Sequence, residues 1–197
     1  MLRSTILYAC ETYYNLKESE VRHLERIEET FMRKLVQTAR GCPINQLYLE
    51  SGHFPARFQI IKQRLFFLKY ILNQDQESMI YKVLYLQIEK PVKYDWAGTC
   101  VKDLKKLKIE MNFEDIRKMP TIKFKDIVRQ KCKEIAFTYL MGKRSYKGSE
   151  IRYNGIETAE YLMPNNELNI EEKMRIFSIR NRMIDQHSVK LCFEGKE

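Results

Sequence analysis

Apolar residues in this chain recur mostly every three or four positions, and that spacing confines the fold to helices. Val21, Leu24, Ile27, Phe31, Met32, Leu35 and Val36 make the first stripe, with Ser19 as the expected N-cap and Gly41 and Pro43 as the stop. Ile44 to Glu50 reads as a short helix ended at Gly52. Pro55 then opens the most apolar stretch, Phe58, Ile61, Leu65, Leu68 and Leu72, widened by Phe66, Phe67 and Tyr70. A stripe that broad predicts the central helix of a core. Ser78 is placed to cap a further helix from Met79 to roughly Ile88.

Pro91 to Gly98 reads as a connector. A helix over Asp95 to Leu107 turns Trp96, Cys100, Leu104 and Leu107 inward and Lys102, Lys105 and Lys106 outward. Asn112 caps a short helix, with Asp115 three positions on. Thr121 begins the clearest helix of the second half, its stripe formed by Phe124, Ile127, Val128, Cys132, Ile135, Ala136, Tyr139 and Leu140. Lys131 falls near the centre of that stripe, where it either snorkels or meets a partner. Gly142 ends this helix. Residues 143–168 hold Gly148, Gly155 and Pro164 without a sustained period, a loop or a small irregular β element. Asn169 caps a last helix, with Glu172 completing a capping box and Ile170, Met174, Phe177 and Ile184 turned inward. Seven Gly and five Pro are too little punctuation for a turn-rich β sandwich. The expected fold is mainly α, an irregular bundle of about seven to nine helices. Residues 1–92 form a helical bundle and residues 93–197 a basic helical module, as two units or one continuous domain.

Charge singles out the second of these. The chain carries a net +9, and Lys102–Arg152 alone holds 15 basic against 7 acidic residues. Nearly the whole excess lies in about a quarter of the chain, which points to an anionic partner. Lys102, Lys105, Lys106, Lys123, Arg129, Lys133, Lys143, Arg144, Lys147 and Arg152 are the candidate phosphate contacts, extended by Arg180 and Arg182 on the last helix. Trp96, Phe113, Phe124, Tyr146 and Tyr153 interleave with them. Phe124 and Trp96 belong to apolar stripes. Tyr146 and Tyr153, beside Arg144, Lys147 and Arg152, are freer to stack a base. The competing account of the same residues is a solvated basic face.

Other chemistry finds little footing. Cys10, Cys42, Cys100, Cys132 and Cys192 are odd in number and widely spaced, unlike a disulfide framework. His187 and Cys192 are the one close His–Cys pair, and two ligands do not close a zinc tetrahedron. Glu28-Glu29, Glu114-Asp115 and Glu171-Glu172 are carboxylate doublets whose members diverge by about 100° on a helix, as solvated faces do. A nuclease built on Glu114 and Asp115 is the enzymatic reading that remains. No Gly-rich phosphate loop or nucleophile motif is present, so no cofactor is expected. No apolar run approaches the ~20 residues of a membrane span, and the N-terminus makes a poor signal peptide. The expectation is an intracellular protein without a membrane partner, with nucleus or cytoplasm left open.

The order of several short segments resembles one family. Ile6-Leu7-Tyr8-Ala9-Cys10-Glu11-Thr12-Tyr13 resembles the LYG-x-E-x-W segment that follows the palm in non-LTR (LINE-type) retrotransposon reverse transcriptases, with Ala9 for Gly and Tyr13 for Trp. Leu24-Glu25, Ile27, Phe31 and Arg33-Lys34-Leu35 resemble its LE-x-I-x-x-x-F-x-R-K-L helix, and Leu47 to Gly52 its LYLELG. Asp95-Trp96 and Arg175 to Met183 resemble its DW and IF-x-x-R-x-R-M segments. The resemblance implies a thumb and post-palm region, helical, gripping template and primer. It implies a palm upstream, whose Asp-Asp motif this chain lacks, and a Cys/His knuckle cut short after His187 and Cys192. On this footing the expected function is a non-catalytic fragment that binds RNA or DNA through a basic helical face, with a protein partner supplying the missing polymerase domain. The alternative is a helical protein-interaction module derived from such an element, whose basic face meets an acidic protein.

Overall fold

The computed structural model describes residues 7–35, 44–92, 95–142, 158–163 and 167–180. Within them lie eight α-helices: α1 (Glu18–Leu35), α2 (Ile44–Glu50), α3 (Ala56–Leu72), α4 (Met79–Glu89), α5 (Trp96–Lys106), α6 (Phe113–Lys118), α7 (Thr121–Gly142) and α8 (Ile170–Arg180). Short 3₁₀ turns occupy Cys10–Thr12 and Glu160–Leu162. No strand forms among the described residues, so the chain is a mainly α, irregular helical bundle. Packing divides it into two units that interleave in sequence. Unit 1 is Met1–Glu28 with Pro55–Ala136, and unit 2 is Glu29–Phe54 with Phe137–Glu197. The divisions at Glu28 and Ala136 fall inside α1 and α7, and residues 91–98 lie within unit 1.

The helix boundaries follow local hydrogen bonding. Ser78 accepts the Tyr81 amide at 3.4 Å and starts α4. Asp95 starts α5 by accepting the Gly98 amide, while its other oxygen takes the Val92 amide at 2.9 Å. Asn112 and Asp115 form a reciprocal capping box at α6 (2.8 and 3.3 Å), and Asn169 and Glu172 repeat the exchange at α8 (3.0 and 2.7 Å). At α1 the start differs from expectation. The helix begins at Glu18, with the Lys17 amide donating to the Glu20 carboxylate at 2.7 Å, so Ser19 lies inside the first turn rather than capping it. The expected stop at Gly41 and Pro43 lies outside the described residues.

Unit 1 is built around α3. Eleven of its seventeen residues are buried, because the 3₁₀ turn, α4, α5 and α6 all pack on it. Leu65 and Leu68 meet Cys100, Leu104 and Leu107 of α5 and its exit, Ile116 of α6, and Phe124, Val128 and Cys132 of α7 in one apolar cluster. Each such side chain contributes about 1.5–3 kcal/mol by leaving water. Two charged residues of α3 are buried with these apolar ones. The Arg64 guanidinium donates through Nη1 to Asp103 of α5 and through Nε to the Tyr13 carbonyl at 2.8 Å. Burial pushes the Asp103 carboxyl up, against the pull of that guanidinium. Lys69 donates all three protons, to Asn73 Oδ1 and to the Ile116 and Arg117 carbonyls, at 2.8 to 2.9 Å. It thereby caps the C-terminal end of α6. Burial draws its ammonium down from the ordinary value.

The inward face of α1 departs from its apolar stripe. Ile27 and Phe31 are each 39% exposed, whereas Glu25 and Glu28 are 8% and 6% exposed. Arg57 of α3 explains the rotation. Its guanidinium grips Glu25 through two bonds, of 2.5 and 2.7 Å, and reaches Glu18 at 3.0 Å. A bidentate pair fixes orientation more firmly than a partial apolar stripe. The Arg57 bond also holds the Glu18 carboxyl below its usual range.

In unit 2, α2 ends on a turn at Gly52, whose φ of 68° suits glycine. A side chain there would collide with Thr158. That closeness lets Ser51 and Thr158 form an isolated antiparallel bridge, with the Ala159 amide donating to the Glu50 carbonyl at 2.7 Å. Of the element expected over residues 143–168, this bridge and the 3₁₀ turn are the described part. On α8 Phe177 is buried, but Ile170, expected inward, is 56% exposed because it occupies the first helical position beside the capping box.

Replacing Asp103 with Leu leaves the Arg64 charge buried without its partner, at an expected cost of about 3–5 kcal/mol in urea unfolding. The double variant R64M/D103L removes both charges together and is expected to lose less than D103L alone. An equal or larger loss in the double variant would sink this account of the pair.

Candidate nucleic-acid interface

The candidate contacts that fall on described residues lie on α5 and α7, with Arg180 on α8. On α5 the 3.6-residue period directs Ala97, Cys100, Asp103, Leu104 and Leu107 into unit 1, leaving Lys102, Lys105 and Lys106 exposed. The acidic residue among these lysines, Asp103, is turned inward to Arg64. The exposed side of Lys102–Lys106 is therefore purely cationic, and no ion pair holds its three lysines among the described residues.

On α7, Phe124, Val128, Cys132, Ala136 and Leu140 form a buried ladder at every fourth position. Lys123, Arg129 and Lys133 are exposed, as the period predicts. Arg129 has internal partners as well: Asp126 at 2.6 Å, and the Phe66 ring at 5.3 Å from its centroid. Lys125 lies over the same ring at 5.4 Å. Two cations over one aromatic ring gain from its quadrupole, about 0.5–1 kcal/mol each near the surface. Lys131, at the centre of the predicted stripe, snorkels to Glu134 at 2.8 Å.

The two sets share unit 1, while Arg180 ends α8 in unit 2. Lys143, Arg144, Lys147, Arg152 and Arg182, with Tyr146 and Tyr153, lie outside the described residues. The remaining aromatics are engaged. Phe124 is fully buried, Trp96 donates to the Glu11 carbonyl at 2.9 Å and meets Phe67 edge-on, and Phe113 is half-buried. Phe66 as a seat for Lys125 and Arg129 was not readable in advance, because the partners stand about sixty positions apart and nothing in either segment marks the other. The carboxylate doublet Glu114-Asp115 is engaged locally, Asp115 in the α6 cap and Glu114 with Lys118 at 3.5 Å. Among the described residues no helix is long and apolar enough to cross a membrane.

Cys10, Cys100 and Cys132 are buried thiols. Burial pushes Cys10 up to about 11, helped by Glu11, and Cys132 to about 12; Cys100 shifts the same way. Since the thiolate is the reactive form, these three are expected to stay unlabelled by a disulfide reagent at pH 8 and to label once guanidinium unfolds the chain. Peptide mass mapping reads the outcome. Labelling of native Cys132 at the rate of a free thiol would contradict the packing of α7 on α3.

Comparison of the chain with protein-family models, with curated proteins and with solved structures finds no match.

Proposed function

We propose that this chain is a non-catalytic nucleic-acid-binding module that meets the sugar-phosphate backbone of RNA or DNA with a basic helical face. The observation that carries the reading is the outer side of α5, where Asp103 is withdrawn to Arg64 and three exposed lysines stand outside any ion pair among the described residues. Phosphate contacts of this kind add affinity through counterion release without reading bases. Lys123, Arg129 and Lys133 of α7 extend the face, and Lys143, Arg144, Lys147, Arg152, Arg180 and Arg182 complete the proposed set.

The resemblance to the thumb and post-palm region of a non-LTR retrotransposon reverse transcriptase belongs to the same proposal. Several of the resembling residues have definable roles in the fold. Glu25 receives Arg57, Asp95 starts α5, Trp96 fastens the N-terminal 3₁₀ turn, and Gly52 makes the turn after α2. A segment of that origin lacks the polymerase aspartates, so its expected contribution is grip on the duplex and not chemistry.

Fluorescence anisotropy with labelled RNA, DNA and hybrid duplexes at two salt concentrations tests the reading. Saturable binding that weakens steeply with salt is expected. The triple variant K102Q/K105Q/K106Q is expected to lower affinity and to reduce the salt slope by about 2–3 on duplexes. An unchanged slope removes α5 from the interface, and no binding at low salt to any probe overturns the proposal.

A further inference from the structure

On a different side of α5 from Lys102 and Lys106, unit 1 carries an open groove of about 700 Å³. Its apolar lining is Ile88 of α4, Val101 and Leu104 of α5, and Ile109, Met111 and Phe113 from the chain that follows α5. Leu104 and Ile109 are buried and form the floor, while Ile88 and Val101 stand 41% and 39% exposed as walls. The shape follows from the end of α5. Lys108 adopts a left-handed φ of 53°, the Ile109 amide returns to the Leu104 carbonyl at 2.9 Å, and the chain leaves the helix toward α6 along the groove.

Charge gives the groove its second property. Lys105 and Lys108 both line it, with Glu110 as the one carboxylate in the lining. Lys105 lies one turn beyond Val101 on the same side of α5, so its ammonium stands beside the apolar wall. An apolar trough with a cationic rim complements a ligand that presents apolar anchors flanked by carboxylates.

The form of that ligand follows from what the walls offer. No strand edge exists among the described residues, so an extended peptide finds no ladder to join. The polar lining residues Lys105, Lys108, Glu110 and Asn112 are all exposed, so the buried floor of Leu104 and Ile109 offers no polar group to orient a small molecule. A helix laid into a groove needs neither, since it satisfies its own backbone and inserts side chains at i, i+4 and i+7. A second copy of this chain is disfavoured by its own net charge of +9.

We propose that this groove docks an acidic amphipathic helix of a partner protein, its apolar stripe seated on Leu104 and Ile109 and its carboxylates against Lys105 and Lys108.

The probe is a labelled 16-residue helical peptide with Leu at i, i+4, i+7 and i+11 and Glu on the flanking positions, beside a twin with Lys in place of Glu. Saturable one-to-one binding of the Glu peptide to the full chain is expected, with the Lys twin unbound. The variant I88Q/V101Q changes two exposed walls without changing charge, and is expected to weaken the Glu peptide about tenfold or more while far-UV circular dichroism and affinity for RNA stay as they were. K105E/K108E is expected to reverse the preference toward the Lys twin, a readout independent of how the first variant folds. Equal binding of both peptides, or Glu-peptide binding indifferent to I88Q/V101Q, would leave only diffuse charge attraction and overturn the proposal. So would RNA affinity that falls with I88Q/V101Q, which assigns the groove to nucleic acid, or a dimer abolished by it, which assigns the groove to a second copy.

Discussion

The Arg64 guanidinium is the constraint on which unit 1 turns. A permanent charge buried in an apolar helix has to be compensated, and its two partners come from either side of it in the sequence, 51 positions before and 39 after. Tyr13 supplies a carbonyl from beside the N-terminal 3₁₀ turn, and Asp103 a carboxylate from α5. One side chain thus sets where the N-terminal segment lies, how α5 is rotated about its axis, and which side of α5 faces water. Trp96 reinforces the arrangement by donating to the Glu11 carbonyl from the first residue of the same helix.

That rotation has an electrostatic effect beyond the pair itself. Several carboxylates of unit 1 are drawn into the fold. Asp103 goes to Arg64, Glu25 to Arg57, Asp95 to the start of α5 and Asp115 to the start of α6. Lys102, Lys105 and Lys106 of α5 and Lys123 and Lys133 of α7 are exposed and stand outside any ion pair among the described residues. The surface of α5 is therefore more cationic than its composition, since Asp103 is the carboxylate it buries, and potentials focused on exposed lysines act at longer range than single contacts. The same sorting gives α5 two adjoining surfaces, the bare lysines and the apolar groove, with Lys105 at the border they share.

Much of the architecture was legible in the sequence because it rests on local rules. The helix-starting roles of Ser78, Asn112 with Asp115, and Asn169 with Glu172 involve residues three apart, and the stripe of α7 involves residues four apart. The broad apolar face of α3 announced its central position in the same way. What escaped was long-range. The inward turn of Glu25 depends on Arg57, thirty-two positions away, and the satisfaction of Lys69 depends on carbonyls of α6. Of the candidate interface, the outward lysines of α5 and α7 were readable from the helical period alone. Neither the withdrawal of Asp103 nor the seating of Arg129 and Lys125 over Phe66 was, because both require knowing which helices meet.

The interleaving of the two units bears on how the chain is made. Unit 1 opens with Met1–Glu28 but is completed by Pro55–Ala136, with the first part of unit 2 threaded between. On a ribosome, Cys10 and Tyr13 emerge well before Arg64 and Asp103, and Phe124 and Cys132 arrive later still. The N-terminal segment must therefore wait for partners that stand 32 to 85 positions further on, Arg57 for Glu25, Arg64 for Tyr13 and Trp96 for Glu11. Residues Glu29–Phe54 wait in turn for partners that begin at Phe137. Closure of such long loops defers much of the stabilisation of unit 1 until the residues up to Ala136 have been added, and a chain stopped short of them has no finished core to protect it.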